Sequence, residues 1–257
     1  MLPNPLFWNV HMYGVMIAVG ILCCFLVLTF YTKIKKADQK FMDFVFFNGI
    51  AAIFIGFVFA TLFQSTYNFI ANPAAGFQIG SGMTFIGGLI GGVVCFLAGY
   101  FIFRKKFETK LYQVVSMIPC AILIAHAWGR IGCFFAGCCY GKETDLFLGV
   151  TFPGMNHAVH PTQLYEAAFL FIMFGVCTFL YLKYDYQHNL SLYLFTYGIF
   201  RFLIEYLRGD NRGELVSFVS PSQFWSILMV AASFGVYFYM RHLLKKDAEK
   251  KEAKKSA

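Results

Sequence analysis

The sequence predicts an all-α integral membrane protein with seven transmembrane helices, the N-terminus outside and the C-terminus cytoplasmic. Three observations carry this. Of 257 residues, 59% are hydrophobic and only 13% are charged, a balance that requires lipid rather than a soluble core. Seven apolar runs approach or exceed the length needed to cross about 30 Å of hydrocarbon. The basic residues gather on one side of these alternating segments.

In chain order the expected spans are 11–32, 41–63, 83–103, 113–129, 164–183, 190–208 and 222–240, the fourth being short. There is no long-period repeat and no separate soluble stretch. Residues 1–240 are therefore expected to form one seven-helix domain, with 241–257 a basic cytoplasmic tail. The first positive charge is Lys33. The first apolar run thus lacks the basic lead of a cleavable signal peptide and is expected to remain as a helix.

Of the 21 Lys and Arg residues, sixteen fall on one side of the seven-span arrangement. They are Lys33, Lys35, Lys36, Lys40, Arg104, Lys105, Lys106, Lys110, Lys183, Arg241, Lys245, Lys246, Lys250, Lys251, Lys254 and Lys255. The positive-inside rule makes that side cytoplasmic. Half of the net charge of +8 resides in the tail, which is expected to be solvated, partly helical and close to anionic lipid. It is no sign of nucleic-acid binding. The other five, Arg130, Lys142, Arg201, Arg208 and Arg212, lie in or beside the outer halves of helices, where the topology rule disfavours them. Binding an anion is the simplest reason for them to be there. Neutralising Glu143, Asp145, Glu205, Asp210 and Glu214 is the plainer one, and it suits Lys142 and Arg212 better than Arg130 and Arg201.

The clearest chemical signal is YGIFRFLIEYLRGD, Tyr197 to Asp210. Arg201 and Glu205 are four residues apart in an apolar helix, with Tyr197 a turn earlier and Arg208 a turn later, so all four are expected near one face. A charge pair at that depth is by default a functional site. The run AHAWGRIGCFFAGCCYGK, Ala125 to Lys142, reads as an outward loop in which Gly129, Gly132, Gly137 and Gly141 permit turns and close ligand approach. Arg130 among them offers a planar fork suited to a lipid phosphate. In HAVHPTQLYEA, His157 to Ala167, Pro161 favours a helix start near Thr162. That carries Gln163, Tyr165 and Glu166 into the membrane with His160 just before them; ordinary capping and an interfacial Tyr explain the same residues.

TFIGGLIGG carries Gly87, Gly88, Gly91 and Gly92. Close helix packing accounts for them, and room for a lipid headgroup is the alternative. Asn9, His11, Tyr13 and Gly14 open the first helix, as aromatic-belt anchors or as part of a cavity shared with Arg130 and Arg201. Cys23, Cys24, Cys95, Cys120 and Cys177 lie in spans as small packing residues. Cys133, Cys138 and Cys139 lie outside, where a disulfide persists if the compartment is oxidising. Three is an odd number. A metal site with His157 or His160 lacks finger-like ligand spacing, so a structural loop is favoured.

In order and outward placement, HMYG (His11–Gly14), GMTFIGGLIGG (Gly82–Gly92), GRIG (Gly129–Gly132), HPTQLYEA (His160–Ala167), YGIFRFLIEYLRGD and a Gln223-bearing start to the last helix resemble the prolipoprotein diacylglyceryl transferase family of bacterial inner-membrane enzymes. The resemblance covers nearly the whole chain. It implies transfer of the diacylglyceryl group of phosphatidylglycerol to the lipobox cysteine of a prolipoprotein, with glycerol phosphate leaving and no metal or organic cofactor required. It also implies catalytic roles for Arg130 on the phosphate and for Arg201 oriented by Glu205. Tyr13, Gly87, Gly88, Gly129, Gly132, His160, Gln163, Tyr197 and Arg208 would line the headgroup cavity. Two departures stand out. The histidine that many members carry before the paired glycines, a proposed general base, is Ile86 here. Either the base is dispensable or His160 or Glu166 supplies it. Cys133, Ala136 and Cys138 stand where the family's central motif usually has Asn residues and a Glu. A non-catalytic relative that binds phospholipid or signal peptides is the alternative; a transporter is weaker, since no inverted repeat is visible.

Overall fold

The structure is a computed structural model that describes residues 11–36, 38–80, 82–107, 111–209 and 220–255. Asn9, Lys110, Asp210, Arg212 and Glu214 lie outside the described residues. The helices are α1 (Met12–Lys35), α2 (Gln39–Ala71), α3 (Phe85–Phe103), α4 (Leu111–Ala136), α5 (Thr162–Tyr184), α6 (Asn189–Ile204) and α7 (Pro221–Lys255). Among the described residues there are seven helices long and apolar enough to cross a membrane, as expected. Isolated bridges in the 141–159 region and at Arg208 are the only β pairing among them.

Several boundaries differ from the sequence expectation, and the difference in α4 bears most on the site. It does not stop at residue 129 but runs 26 residues to Ala136. Gly129 and Gly132 are therefore helical rather than turn residues. The glycines are outweighed by the Ala, Trp, Ile, Phe and Cys residues around them, which keep the helical ladder in an apolar setting. The turn itself waits for Gly137, at φ +67°. At the other end of the site, α6 stops at Ile204 and one 3-10 turn, Glu205–Leu207, follows. Arg208 is already extended, with ψ 142°, so it does not continue the face of Tyr197 and Arg201. Helix α7 runs without a break through the basic tail to Lys255.

Two compact units form: Met1–Tyr31 with Lys110–Ala257, and Thr32–Thr109. In the second, α2 packs on α3. Asp38 caps α2 by accepting from the Lys40 N–H at 3.0 Å. The glycines of α3 explain the closeness of that pair, since a Cβ at Gly87 would meet the Phe63 Cβ at 2.7 Å and one at Gly91 the Phe59 Cβ at 2.5 Å. In the first unit α4 packs on α5 and α6, and α6 on α7. Met117, Cys120, Ala121, Leu123, Ile124 and Ala127 bury one stripe of α4 at helical spacing. Lipid is as apolar as these side chains, so packing and interhelical hydrogen bonds hold such a bundle together. Buried Asn189, at the start of α6, donates to the Ser116 and Cys177 carbonyls at 3.1 and 3.3 Å, tying three helices at one end. The other end of the same helices carries the charges.

Candidate active site

Helices α4, α5, α6 and α7 alternate in direction, so the end of α4, the start of α5, the end of α6 and the start of α7 meet on one side. Glu166 lies in the second turn of α5 and is 1% exposed. Its Oε1 accepts a hydrogen bond from the Tyr197 hydroxyl of α6 at 2.6 Å. Arg130 Nε of α4 approaches the same oxygen at 3.0 Å. His126, one turn before Arg130, stands 3.7 Å away with its ring edge-on to Tyr197. The contact uses the inner nitrogen of Arg130, whose side chain retains 20% exposure. A Cβ on the preceding Gly129 would meet nothing within 4 Å, so there is open space beside the helix at that residue.

One turn beyond Tyr197, buried Arg201 pairs with Glu205 at 2.8 Å. Its guanidinium also donates to Ser222 Oγ at 3.0 Å, and the Ser220 hydroxyl donates to the other Glu205 oxygen at 2.9 Å. Ser220 opens α7 as a reciprocal cap: the Gln223 N–H donates to Ser220 Oγ at 3.2 Å and the Ser220 N–H to Gln223 Oε1 at 3.1 Å. Pro221 at the first helical position fits this start. A desolvated arginine is therefore held by a carboxylate and a hydroxyl on two different elements.

The segment after α4 folds back over the start of α5. Gly137 and Cys139, at φ +67° and +66°, reverse the chain, and α5 pins it. Thr162 Oγ1 donates to the Cys139 carbonyl at 2.7 Å and Gln163 Nε2 to the Cys138 carbonyl. As a result the sulfurs of Cys133, Cys138 and Cys139 lie within 4.8 Å of one another, all as free thiols. Hydrogen bonds from Cys133 and Cys138, then the Arg208 guanidinium, pull the Cys139 thiol below its usual range. Neither histidine weighed as a partner for these thiols is in the cluster. His157 Nε2 faces Glu143 at 3.2 Å, and His160 Nδ1 is 3.3 Å from the Tyr165 hydroxyl.

Of the residues singled out from sequence, Arg130, Tyr197, Arg201 and Glu205 come together. Arg208 is buried and bridges Gly141, reaching Cys139 from the far side of the loop. Tyr13 packs on Gly132, whose added Cβ would meet the Tyr13 ring at 3.2 Å. Gln163 acts through the loop backbone. Gly87 and Gly88 lie in the other unit, against α2. The sequence reading missed His126, Ser220 and Ser222, and it treated Glu166 only as a stand-in base. Helical spacing from Arg130 back to His126 was the signal available for the histidine. For the serines it was the S-P-S-Q run at a helix start.

The family model described as prolipoprotein diacylglyceryl transferase matches residues 5–239. A phosphatidylglycerol–prolipoprotein diacylglyceryl transferase of Clostridium tetani is 32% identical over 239 residues, covering 89% of this chain and 92% of that protein. One from Coxiella burnetii is 30% identical over 250 residues, covering 91% and 92%. A protein of Clostridium perfringens named as a second such transferase is 29% identical, covering 89% and 90%. With its seven apolar helices and a match along nearly its full length, the chain belongs to the prolipoprotein diacylglyceryl transferase family.

Proposed function

We infer that this protein transfers the diacylglyceryl group of phosphatidylglycerol to the lipobox cysteine of a prolipoprotein in the bacterial cytoplasmic (inner) membrane. The observation that carries the inference is the buried Arg130–Glu166–Tyr197 arrangement beside Arg201–Glu205, in a chain of this family. The acceptor sulfur attacks the glyceryl carbon, a carbon–sulfur bond forms and the carbon–oxygen bond to phosphate breaks. The electron pair leaves with glycerol phosphate, and the thiol proton is lost. Negative charge grows on the phosphate as that bond breaks. Cations already in place lower the barrier without having to reorganise.

Arg130 takes the phosphate through its outer nitrogens while Glu166 holds its inner one. Arg201, fixed by Glu205 and Ser222, supplies the second cation. Glu166 is a positioning residue in this scheme, since its Oε1 already serves Tyr197 and Arg130. Tyr13, Gly129, Gly132, His160, Gln163 and Arg208 shape the surroundings of the donor. The orientation follows from charge. The site lies at the ends of the helices opposite Lys183 and Arg241, and the positive-inside rule supports an outward-facing site and N-terminus with a cytoplasmic C-terminal tail. Phosphatidylglycerol and the signal peptide both arrive through the bilayer.

The test is lipidation of a lipobox peptide by the purified protein in phosphatidylglycerol vesicles, read by mass spectrometry. A gain of one diacylglyceryl group is expected, and Arg130→Ala or Arg201→Ala should each lower kcat by about 100- to 1,000-fold. Lipid binding without any mass gain from folded wild-type protein would leave the non-catalytic reading. Full activity in both variants would remove the arginine assignment.

A further inference from the structure

The thiol cluster is the part of the site that the transfer scheme leaves unused. It is built rather than incidental. Cys133 closes the last turn of α4, Gly137 reverses the chain, and Cys139 holds a left-handed backbone that costs a residue with a Cβ about 1 kcal/mol or more. The Cys138 N–H returns to the Cys133 carbonyl at 3.2 Å, and the two hydrogen bonds from Thr162 and Gln163 fix both following carbonyls. The result is three sulfurs within 4.8 Å. Sulfurs in a tetrahedral zinc–thiolate site, with bonds of about 2.3 Å, stand about 3.8 Å apart, so a contraction of about 1 Å brings the three to ligand geometry. A disulfide would pair two of them and strand the third.

The position matters as much as the composition. Cys133 follows Arg130 by three residues and shares its face of α4. Thr162 and Gln163 precede Glu166 by one turn of α5. The cluster therefore stands one helical turn from the Arg130–Glu166 pair along both helices. Three protein thiolates leave a tetrahedral ion with one open position, as in catalytic rather than structural sites. The combined charge of three thiolates and a divalent cation is negative. Arg208 beside Cys139 and Arg130 on the other side offset it.

We propose that Cys133, Cys138 and Cys139 hold one thiophilic divalent cation of the zinc class, with the open fourth position taken by the thiol of the acceptor cysteine. This rests on the transferase assignment. A thiol that coordinates such an ion gives up its proton, so the acceptor reaches the donor as a thiolate and its proton passes to water. Its sulfur lone pair then forms the bond to the glyceryl carbon as glycerol phosphate departs. The thioether, a weaker ligand, leaves the ion. No oxidant is involved, and the ion performs the deprotonation for which Ile86 offers no group.

The test is a Co2+ titration of the metal-stripped, reduced, full-length protein in detergent. One ion per chain is expected, with thiolate-to-metal charge-transfer absorption and the visible bands of a tetrahedral site. Cys133→Ser and Cys139→Ser should each weaken them, while Cys24→Ser leaves them unchanged. A lipobox peptide should shift the visible bands toward a four-thiolate site, and its Cys→Ser version should not. The proposal is overturned if wild-type protein binds no stoichiometric Co2+, or if binding survives replacement of all three cysteines. It is also overturned if the bands ignore a peptide that is being lipidated. Bands that respond to peptide without any lipidation would count against the transferase assignment alone. Lipidation by protein that binds no metal would count against the ion alone.

Discussion

Three groups converge on one oxygen of Glu166: the Tyr197 hydroxyl, the Arg130 inner nitrogen and, further off, His126. A carboxylate there offsets the cost of burying Arg130 and also aims its fork. Removing the charge and leaving the arginine strands a cation in a poorly solvated place, a change that costs about 3–5 kcal/mol in comparable pairs. Losing the tyrosine hydroxyl removes one hydrogen bond to a charged acceptor, about 1.5–3 kcal/mol. Glu166→Gln should therefore depress kcat in the vesicle assay more than Tyr197→Phe does. The reverse order would mean that the tyrosine, not the carboxylate, holds the site. Glu166 was hard to weigh from sequence because a carboxylate in the opening turns of a helix is commonplace. Only the arrival of α4 and α6 around it gives it partners. The Arg201–Glu205 pair was legible, because its two members are four residues apart on one helix and no long-range contact is needed to join them.

At the scale of the elements, the start of α7 does two things with one residue. Ser220 caps the helix through Gln223 and holds Glu205 in place. Ser220→Ala should lose about 1 kcal/mol of capping, seen as a lower thermal midpoint of the detergent-solubilised protein, together with a fall in kcat. Ser220→Thr should restore both. A normal midpoint with normal activity would show that the cap carries neither. The element that sequence misjudged was α4. Four glycines in eighteen residues resemble a loop when counted, yet two of them sit in a helix whose other residues favour it, and only Gly137 takes a left-handed turn. The Cys133–Cys138–Cys139 cluster was illegible for the same reason. Its closeness depends on that turn and on Cys139 adopting a conformation its side chain disfavours. The start of α5 was read correctly, because Pro161 marks it locally.

For the whole molecule, the site needs the end of α4, the start of α5, the end of α6 and the start of α7 on one side, and the alternation of spans delivers this from sequence alone. Which side is outside rests on charge asymmetry. In a chain retaining only Cys138, which is exposed, a membrane-impermeant maleimide should label intact spheroplasts. With Lys250→Cys as the lone cysteine, labelling should require permeabilisation. The opposite pattern would invert the orientation.

Helix α7 has one more consequence for the molecule. Its 35 residues make about 52 Å of helix, against about 30 Å of hydrocarbon, so roughly the last 15 residues stand clear of the bilayer. The Tyr112 hydroxyl of α4 donates to Asp247 at 2.8 Å, which ties this extension to α4 at that point. At cellular ionic strength the field of a charged leaflet decays over about 8 Å, or five to six residues of helix rise. Arg241, Lys245 and Lys246 therefore sense the lipid surface, and Lys250 is largely screened from it. The tail holds seven of the protein's 21 basic residues, yet only its first turns act as a membrane tether; the rest serves as a charged post in the aqueous phase.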